Sequence, residues 1–477
     1  MLISLIFLHL DADVEKMQAV KDAFKFAWDG YKKCAYGYDF LKPTTCNASH
    51  WLNGTITLID SLDSLYIMGF HDEFDQAVEY LEKNYTNQAS GSVFELIIRN
   101  VGGLVSAYEL TSRPILLDIA INFTKSLLKA FDTPTGLPMP NINTITGKAS
   151  TWGYAPRSTF LAHAGSLAPE FMALSELSGD DTFKNVSDTI MKFFFDQEKF
   201  HGLWPHRIDY STGVFGTTDI GFDAYGDSFY EYLLKLYLLT NKKCVSCGTL
   251  YSMSIQGMKD FLMRRTVEGT YIGTLIQGLT DDTITHLSYF IPGMLALGSS
   301  YINQDDLDYA ISITKTYEKW YSTKSKLSPE SFSLKTYPMK IIDPSYKLRP
   351  EFIESLFYLY RITGENHYRE KGWEIFQSIV KYCKTEYGFG TLIDVENPEK
   401  GVEDIQDSFL LSETFKYAYL LFADSDTINI DDYVFTTEGH ILKKFNEKWI
   451  DEKYKNEKWF YDLDEVVKPF IPKEPIQ

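Results

Sequence analysis

The sequence lacks the features typical of zinc enzymes, nucleic-acid-binding proteins and integral membrane proteins. It has nine histidines, no His-Glu-x-x-His motif and a single Cys-x-x-Cys pair, so no zinc-ligand set is evident. The net charge of −19 argues against a nucleic-acid partner, because the phosphate backbone attracts a positive surface. It is compatible with a bound cation or a neutral substrate. After residue 10, no apolar run is long enough to cross a bilayer.

Cysteine is scarce, and the chain contains Cys34, Cys46, Cys244, Cys247 and Cys383. An odd number of cysteines leaves at least one thiol without an internal partner. The Cys-x-x-Cys pair is not surrounded by a thioredoxin-like βαβ pattern. We therefore expect it to be a local disulfide or two free thiols, and not a redox centre.

The first ten residues, MLISLIFLHL, form a short apolar run followed by acidic residues. This run fits the core of a signal peptide, although it lacks the usual positive start, and we assign residues 1–12 to such a segment. Asn-x-Ser/Thr sequons, which are typical of secretory proteins, begin at Asn47, Asn53, Asn84, Asn122 and Asn185. The sequence therefore predicts a protein of the secretory pathway.

Helical segments end repeatedly in Gly, Ser, Thr or Asp, at intervals of mostly about 60 residues. These endings are Leu65–Gly69, Ala107–Thr111, Leu174–Gly179, Leu236–Thr240, Met294–Gly298, Tyr360–Gly364 and Leu420–Asp424. A second amphipathic helix follows most of them, and short Gly/Pro-rich extended pieces separate the helix pairs. The pattern predicts an all-α repeat with short β-hairpins. Periodicity alone leaves open whether the helix pairs form an open solenoid or a closed ring.

Acidic residues recur where the aromatic helices begin. After Pro350, which suits the first turn of a helix, Glu351 and Glu354 are three residues apart and share one helix face. Glu95, Asp227 and the pair Asp407 and Glu413 occupy similar places in other repeats. In a closed ring these helix starts would converge on one acidic pocket.

Each acid also has a structural interpretation as a helix cap or ion-pair partner, as for Glu95 with Arg99 at i,i+4. Several acids within apolar helices favour a functional interpretation, because buried unpaired carboxylates are costly. Paired carboxylates are the groups used in glycoside hydrolysis, where one carboxyl donates a proton and the other activates water or attacks. The aromatic fraction of 15% fits a helical core, and the alternative use of such rings is stacking on sugars.

The chain resembles glycoside hydrolase family 47, the class I α-1,2-mannosidases, from about residue 23 to residue 440. The motifs that carry the resemblance occur in the same order as in the family. They are Thr57-Leu-Ile-Asp-Ser-Leu-Asp-Ser-Leu65, Phe94-Glu-Leu-Ile-Ile-Arg-Asn-Val-Gly-Gly103, Gly226-Asp-Ser-Phe-Tyr-Glu-Tyr-Leu-Leu-Lys235, Leu348-Arg-Pro-Glu-Phe-Ile-Glu-Ser355, Ser412-Glu-Thr-Phe-Lys-Tyr417 and Phe435-Thr-Thr-Glu-Gly-His440. The resemblance implies an (α/α)7 barrel over residues 13–445, followed by a C-terminal extension, 446–477.

The resemblance also implies an inverting hydrolase with Ca2+ at the base of the barrel. Glu95 is then the general acid acting through water, and Asp227 is a second acid or a partner of the catalytic water. Glu351 is the general base. The remaining implied site residues are Glu354 and Glu413 around calcium, Thr437 as the direct calcium ligand, Arg99 and Arg349 as orienting groups, and Phe409 stacked on the terminal mannose.

Within the family, the Phe40–Cys46 segment and the segment from Asp407 to Tyr417 resemble the EDEM branch, which acts in endoplasmic-reticulum-associated degradation. By this resemblance Cys46 and Cys383 would form a long-range disulfide. The bridge of processing mannosidases is absent, because its positions hold Tyr289 and Thr316. Against the EDEM branch, the segment from His286 to Gly298 is more similar to processing mannosidases.

Two departures from the family lie in its substrate cleft. Thr285 replaces the usual Asp, and His163 replaces the Glu of processing mannosidases. By resemblance both positions line the cleft beyond the cleaved sugar. They therefore concern branch specificity and turnover, whereas the implied catalytic set is intact.

We therefore expect a calcium-dependent α-1,2-mannosidase of the endoplasmic reticulum lumen that trims high-mannose N-glycans on misfolded glycoproteins. A protein-disulfide-isomerase-type partner would fit the EDEM-like interpretation. The first alternative is an ordinary processing mannosidase of the endoplasmic reticulum or Golgi. The second alternative, from another class, is a mannose-binding lectin-like protein with little turnover.

Overall fold

The computed structural model describes residues 9–336 and 338–461. Residues 1–8 of the predicted signal peptide and residues 462–477 of the predicted C-terminal extension lie outside the described part. Within the described residues the protein is mostly helical, as the sequence predicts. No described helix is long and apolar enough to cross a membrane.

The α-helices run along the whole described chain and are numbered in order. They are α1 Val14–Cys34, α2 Ile56–Asp60, α3 Leu62–Ile67, α4 His71–Asn84, α5 Val93–Glu95, α6 Gly102–Thr111, α7 Pro114–Leu127, α8 Leu161–Gly165, α9 Ala168–Ser178, α10 Asp181–Asp196, α11 Asp227–Leu239, α12 Val245–Gly257, α13 Ile291–Ser299, α14 Asp306–Trp320, α15 Glu351–Thr363, α16 Asn366–Tyr382, α17 Phe415–Phe422, α18 Glu447–Tyr454 and α19 Lys458–Tyr461. Shorter π-helical turns precede or follow some of them, at Leu96–Val101, Met258–Leu262 and Leu410–Thr414. Short 3-10 turns lie at Leu128–Phe131, His286–Phe290, Pro398–Lys400 and Ser425–Thr427.

The α-helices alternate between a core series and a peripheral series. The core helices are largely buried, as α11 and α15 show, whereas a peripheral helix such as α4 buries only one stripe. Each core helix packs against one peripheral partner; the pairs are α3 with α4, α6 with α7, α9 with α10, α11 with α12, α13 with α14, α15 with α16, and α17 with α1. The described chain therefore has the helix-pair repeat that the sequence predicts.

Neighbouring core helices also pack against each other along the chain. Helix α6 lies between α3 and α9, α9 contacts α11, and α15 lies between α13 and α17. The π-helical turn before α17 packs on α2 and α3, so the last core element contacts the first. This arrangement places the N-terminal ends of distant core helices near one another.

The helix ends follow the turn chemistry that the sequence predicts. Helix α15 starts directly after Pro350 and ends at Gly364, whose φ of +71° is left-handed. The amide of Gly364 donates to the carbonyl of Tyr360 at 2.8 Å. Gly179, with φ of +72°, closes α9 in the same way.

Short antiparallel strands connect the helix pairs, as the Gly/Pro-rich pieces predict. They are β1 Phe40–Lys42, β2 Asn47–Ser49, β3 Ser90–Ser92, β4 Asn141–Asn143, β5 Lys148–Ser150, β6 Ser158–Phe160, β7 Arg207–Asp209, β8 Met263–Thr266, β9 Gly269–Ile272, β10 Thr274–Ile276, β11 Leu279–Asp281, β12 Thr283–Thr285, β13 Ser331–Ser333, β14 Lys340–Asp343, β15 Tyr433–Phe435 and β16 Ile441–Lys443. The two three-stranded sheets have the orders β3-β4-β5 and β12-β13-β14, and the other strands pair as hairpins or, for β6 with β7, across a longer connection. Strands β3, β6 and β12 end directly before α5, α8 and the 3-10 turn His286–Phe290, short helical segments that lead toward core helices.

The cysteine pairing differs from the long-range bridge that we expected. Cys46 pairs with Cys34, with 5.0 Å between their Cα atoms, and Cys383 is a buried free thiol. The expected Cys46–Cys383 disulfide is therefore wrong, because the β1–β2 turn returns Cys46 to the end of α1. Cys244 and Cys247 form a disulfide at the start of α12, which is the local bridge among the two alternatives.

Candidate active site

One acidic cavity of about 280 Å³ lies at the N-terminal ends of the core helices. All nine residues assigned to the site from the sequence line this cavity: Glu95, Arg99, Asp227, Arg349, Glu351, Glu354, Phe409, Glu413 and Thr437. They come from core helices far apart in the chain, from the helical turns and loops that precede core helices, and from the β15–β16 turn. The structure thus brings the predicted residues together, and their individual roles remain predictions.

Of the two departures from the family pattern, only His163 lines this cavity. Thr285 lies at the end of β12 outside the residues that line it, and its hydroxyl is buried without a hydrogen-bond partner among the described residues. The prediction that Thr285 lines the substrate cleft beyond the cleaved sugar stays a prediction. The next residue, His286, contacts the cavity residue Glu351.

Glu95 is held at the start of a helix by its neighbours. The amide of Glu95 donates to the Ser92 hydroxyl at 3.3 Å, and Nε of Arg99 donates to Oε2 of Glu95 at 2.8 Å. The π-helical turn Leu96–Val101 follows directly, a wide turn that occurs frequently at functional sites. The Glu95–Arg99 ion pair that we considered as a structural alternative is thus present inside the cavity wall.

Arg99 connects Glu95 to the base of the cavity. Its Nη1 donates to the hydroxyl of Ser408 at 2.9 Å and also contacts Asp60 and Glu438. Its guanidinium lies 5.8 Å from the ring centre of Phe409. Arg99 therefore orients a carboxylate and an aromatic ring at the same time.

Glu351 is oriented by a histidine from the preceding repeat. Nδ1 of His286 lies 2.9 Å from Oε2 of Glu351, and Nε2 of His286 lies 2.7 Å from the Tyr321 hydroxyl. His286 is buried, and its contacts with Tyr321 and Glu351 fix the orientation of the Glu351 carboxylate. The rest of the Glu351 side chain faces the cavity.

Arg349 lies beside the same helix start and is held by a bidentate ion pair. Its Nε and Nη2 donate to Glu330 at 2.9 Å and 2.7 Å. Its guanidinium lies 5.7 Å from the ring centre of Phe409, on which Arg99 also stacks. The guanidinium groups of Arg99 and Arg349 therefore both lie near the Phe409 ring at the cavity wall.

Asp227 is the first residue of α11 and accepts a hydrogen bond from the amide of Ser228 at 2.7 Å. Burial raises its pKa to about 7, and the negative charges of Asp223 and Glu231 add to this shift. Asp227 can therefore hold a proton near neutral pH, as a proton donor must.

The base of the cavity is a cluster of buried carboxylates. Burial raises the pKa of Glu354 to about 8, and the charge of Glu231 adds to the shift while Lys235, 4.0 Å away, opposes it. Burial and the neighbouring Glu438 also raise the pKa of Glu413 well above its usual value. Like charges held together in this way require a cation or protons.

Calcium fits this donor set. Carboxylates of Glu354, Glu413 and Glu438 lie with the Thr437 side chain around one cavity, and oxygen atoms are the ligands that a hard cation prefers. Burial first, and the neighbouring carboxylates second, raise the pKa values of Glu354 and Glu413, and a divalent cation would balance the negative charges of this group. The amide of Thr437 donates to the Tyr232 hydroxyl at 3.1 Å, which fixes the turn that carries it.

Sequence reasoning missed several residues that complete the site. They are Glu231, Glu438, His286, Glu330 and the buried group of Asp60, Asp63, His440 and Lys416. Glu231 could have been found from its i,i+4 spacing to Asp227, and Glu438 from its position next to Thr437. His286 and Glu330 had no such local signal.

Comparison with known proteins agrees with this geometry. The pattern of glycosyl hydrolase family 47 matches residues 23–444. The chain is 36% identical to human mannosyl-oligosaccharide 1,2-alpha-mannosidase IB, over 91% of this chain and 70% of that protein. It is 37% identical to the endoplasmic reticulum mannosyl-oligosaccharide 1,2-alpha-mannosidase of Mus musculus, over 90% of this chain and 68% of that protein.

A solved structure shows the same agreement in three dimensions. The alpha-1,2-mannosidase from Trichoderma reesei superposes with a TM-score of 0.85 at 26% identity, over 91% of this chain and all of that one. The fold and the acidic cavity therefore define a glycoside hydrolase. The chain belongs to glycosyl hydrolase family 47, the family of the mannosyl-oligosaccharide 1,2-α-mannosidases.

Proposed function

We propose that this enzyme removes terminal α-1,2-linked mannose from high-mannose N-glycans as a processing mannosidase. The observation that carries the proposal is the convergence of Glu95, Asp227 and Glu351 on one cavity, although they lie in the first turns of three different helical segments. The names of the similar mannosidases supply the sugar and the linkage. We further propose that the helix pairs close into an (α/α)7 barrel, with the cavity at one mouth and residues 13–445 as the catalytic domain.

The chemistry proposed is inverting hydrolysis. Glu351 takes a proton from a water molecule that attacks the anomeric carbon, and His286 keeps its carboxylate oriented. Glu95 donates a proton through a second water to the leaving oxygen as the glycosidic bond breaks. Asp227, whose pKa is about 7, is the second proton source on that side. The products are free mannose and the shortened glycan.

The proposed sugar contacts follow from the side chains beside the acids. Phe409 offers an aromatic face for the terminal mannose, and Arg99 and Arg349 hold that face in place. The backbone and hydroxyl of Thr437, with Glu354 and Glu413 around them through waters, are the groups proposed to hold Ca2+. Bound calcium would supply positive charge for sugar hydroxyls at the base of the cavity.

Two observations favour the processing branch over the EDEM-like branch. The curated relatives named above are processing mannosidases, and so is the human mannosyl-oligosaccharide 1,2-alpha-mannosidase IC, at 36% identity. The Cys46–Cys383 bridge, which was part of the EDEM-like resemblance, is replaced by Cys34–Cys46. The second candidate function is the EDEM-like one, which acts on misfolded glycoproteins with a disulfide-isomerase-type partner.

The proposed location is the endoplasmic reticulum or Golgi lumen. Two disulfides are typical of chains that fold in an oxidising compartment. All five sequon asparagines lie at exposed positions, where glycans can be accommodated.

One experiment tests the activity and separates the alternatives. The purified protein is incubated with a free high-mannose glycan and with the same glycan on a denatured glycoprotein, each with Ca2+ and with a chelator. The proposal predicts mannose release from both substrates, and its loss with the chelator. Release from the denatured glycoprotein alone would favour the EDEM-like interpretation, and glycan binding without release would favour the lectin-like one.

A further inference from the structure

The turn between β15 and β16, residues 436–440, carries Thr437, the residue proposed to hold calcium directly. We call residues 436–440 the calcium turn. The amide of Thr436 donates to the carbonyl of His440 at 2.7 Å, and the amide of Gly439 donates to the carbonyl of Thr436 at 3.0 Å. Each flanking strand has only three residues, and an isolated two-stranded hairpin is marginally stable. Contacts with the rest of the protein must therefore fix the position of Thr437.

A buried lysine holds one side of the calcium turn. Lys416, in α17, is fully buried, and its Nζ donates to the carbonyl of Gly439 at 2.7 Å. The same Nζ lies 2.8 Å from each carboxylate oxygen of Asp63, in α3. Lys416 thus links the backbone of the calcium turn, two residues after Thr437, to the first core helix.

His440 holds the end of the calcium turn with both of its ring nitrogens. Nδ1 lies 3.1 Å from Oδ2 of Asp63, and Nε2 lies 3.1 Å from Oδ1 of Asp60. Because carboxylate oxygens only accept hydrogen bonds, both nitrogens donate and the ring carries a positive charge. We call Asp60, Asp63, Lys416 and His440 the ionic clamp, in which two positive groups face two negative ones. All four side chains are fully buried.

The start of α6 leaves space for the His440 ring and adds a contact to the clamp. A Cβ atom at Gly102 would lie 2.8 Å from Cδ2 of His440, so a side chain there would displace the imidazole. One turn further along α6, the hydroxyl of Ser106 donates to Asp63 at 2.9 Å and accepts from the amide of Ile441 at 3.1 Å. Helix α6 therefore holds the clamp and the first residue of β16 together.

Stability alone does not explain the ionic clamp. Removing four charged groups from water is costly, and apolar side chains of similar size often stabilise a core equally well. The contacts of the clamp instead lead to the base of the cavity. Lys416 and His440 hold the calcium turn, and Oδ2 of Asp60 accepts from the hydroxyl of Ser412, the residue before Glu413, at 3.1 Å. Groups that orient the ligands of a metal ion commonly affect its affinity.

We propose that Lys416 and His440 are positioning residues for calcium, which hold the calcium turn in its binding conformation before the ion arrives. The cation then binds without the cost of ordering the turn, and this raises its affinity. The inference rests on the proposed calcium binding at Thr437. It gives the ionic clamp, which takes part in no step of the proposed hydrolysis, a function at the same site.

The test measures calcium affinity and stability separately in matched variants of the full chain. Lys416→Met removes the ammonium group and keeps an unbranched side chain. Lys184→Met is the control, because Lys184 is also buried and pairs with Asp188 in the peripheral helix α10, and its described contacts do not include the calcium turn. Ca2+ is titrated into chelator-treated protein by calorimetry, well below the melting temperature of each variant. We expect the Kd for Ca2+ to rise about 10–100-fold in Lys416→Met. Lys184→Met should lower the melting temperature and leave this Kd unchanged.

A milder variant keeps the test valid if Lys416→Met fails to fold. Ser106→Ala removes one hydroxyl that holds both Asp63 and the amide of Ile441, and leaves every charge in place. We expect a smaller rise in the Kd for Ca2+ than in Lys416→Met. Hydrogen exchange of the chelator-treated protein then reports on the turn itself. Amides of residues 436–440 should exchange faster in Ser106→Ala and Lys416→Met than in Lys184→Met.

The outcomes for the clamp and for the calcium site are distinguishable. Wild-type calcium affinity in Lys416→Met, or in Ser106→Ala where Lys416→Met does not fold, would overturn the positioning role. Unchanged hydrogen exchange of residues 436–440 in these variants would also overturn it. Absence of calcium binding by the wild type would instead overturn the proposed calcium site, while hydrogen exchange would still show whether the clamp holds the turn.

Discussion

Nδ1 of His286 lies 2.9 Å from the Glu351 carboxylate, while Nε2 of the same ring lies 2.7 Å from the Tyr321 hydroxyl. The two residues are 65 positions apart, in neighbouring repeats. This contact makes the 3-10 turn His286–Phe290 a support for the proposed base at the start of α15. His286 is therefore a positioning residue, which acts through Glu351.

Loss of His286 should slow the reaction without much effect on substrate binding. His286→Ala frees the Glu351 carboxylate to rotate, and a small misplacement of a reacting group costs about 10²-fold in rate. We expect kcat to fall by about this factor while KM changes little, in steady-state assays of mannose release. His367→Ala, at an exposed histidine on α16, is the control and should leave both constants unchanged. A change in KM alone would contradict the positioning role.

The alkaline side of the pH–rate profile should depend on Asp223. Burial and the charges of Asp223 and Glu231 raise the pKa of Asp227 to about 7, so this second proton source loses its proton as pH rises through 7. Asp223→Asn removes one of these charges and lowers the pKa of Asp227. We expect the decline of kcat/KM to begin at lower pH in this variant, and not in Asp72→Asn on α4. An unmoved alkaline limb would exclude Asp227 as the second proton source.

Stability should also depend on pH and calcium together. In the folded protein, burial raises the pKa to about 7 for Asp227 and to about 8 for Glu354, above the ordinary values near 4. The folded state therefore binds more protons than the unfolded chain between about pH 4 and 8, and stability falls as pH rises through this window. A bound cation balances the same charges.

Differential scanning fluorimetry at pH 5.5 and pH 7.5, with chelator and with Ca2+, measures this coupling. We expect the calcium-free protein to melt at a higher temperature at pH 5.5, and Ca2+ to raise the melting temperature more at pH 7.5. Thr437→Ala should reduce the calcium effect, whereas Thr266→Ala on the exposed end of β8 should not. An equal calcium effect at both pH values would contradict calcium binding by the buried carboxylates.

The cysteine pairing gives a prediction that does not depend on activity. Non-reducing peptide mapping should recover Cys34 linked to Cys46 and Cys244 linked to Cys247. Cys383 should react with alkylating agents only after unfolding, because it is buried and burial raises its pKa. Cys34→Ser should destabilise the fold by about 3 kcal/mol, in denaturant titrations, and Cys383→Ser by less. A peptide that links Cys46 to Cys383 would contradict the pairing.

The sequence predicted helix ends well where a single residue type determines the last turn. Gly364 and Gly179 end α15 and α9 because a left-handed residue closes the last helical turn, and this requirement is visible in the sequence. The shared face of Glu351 and Glu354 follows from their spacing alone. Whether the helix pairs meet in three dimensions depends on contacts between repeats, which periodicity does not define.

The site was predicted from motifs that resemble the family, and the residues that support it were not predicted. The resemblance named Glu95, Arg99 and Thr437, and these side chains do line one cavity. His286 and Glu330 were missed because they lie 65 and 19 positions from the residues they orient. Cys46 was paired wrongly because its partner was taken from the EDEM-like resemblance, whereas the backbone of this chain brings Cys46 within bonding range of Cys34.

The central claim, that Glu351 activates water in a mannosidase cavity, is tested most directly by Glu351→Gln. Mannose release from a high-mannose glycan is measured by anion-exchange chromatography, and glycan binding to the same protein is measured by calorimetry. We expect release to fall by about 10²–10⁴-fold, while binding remains within a few-fold of the wild type. Undiminished release by Glu351→Gln would contradict the account.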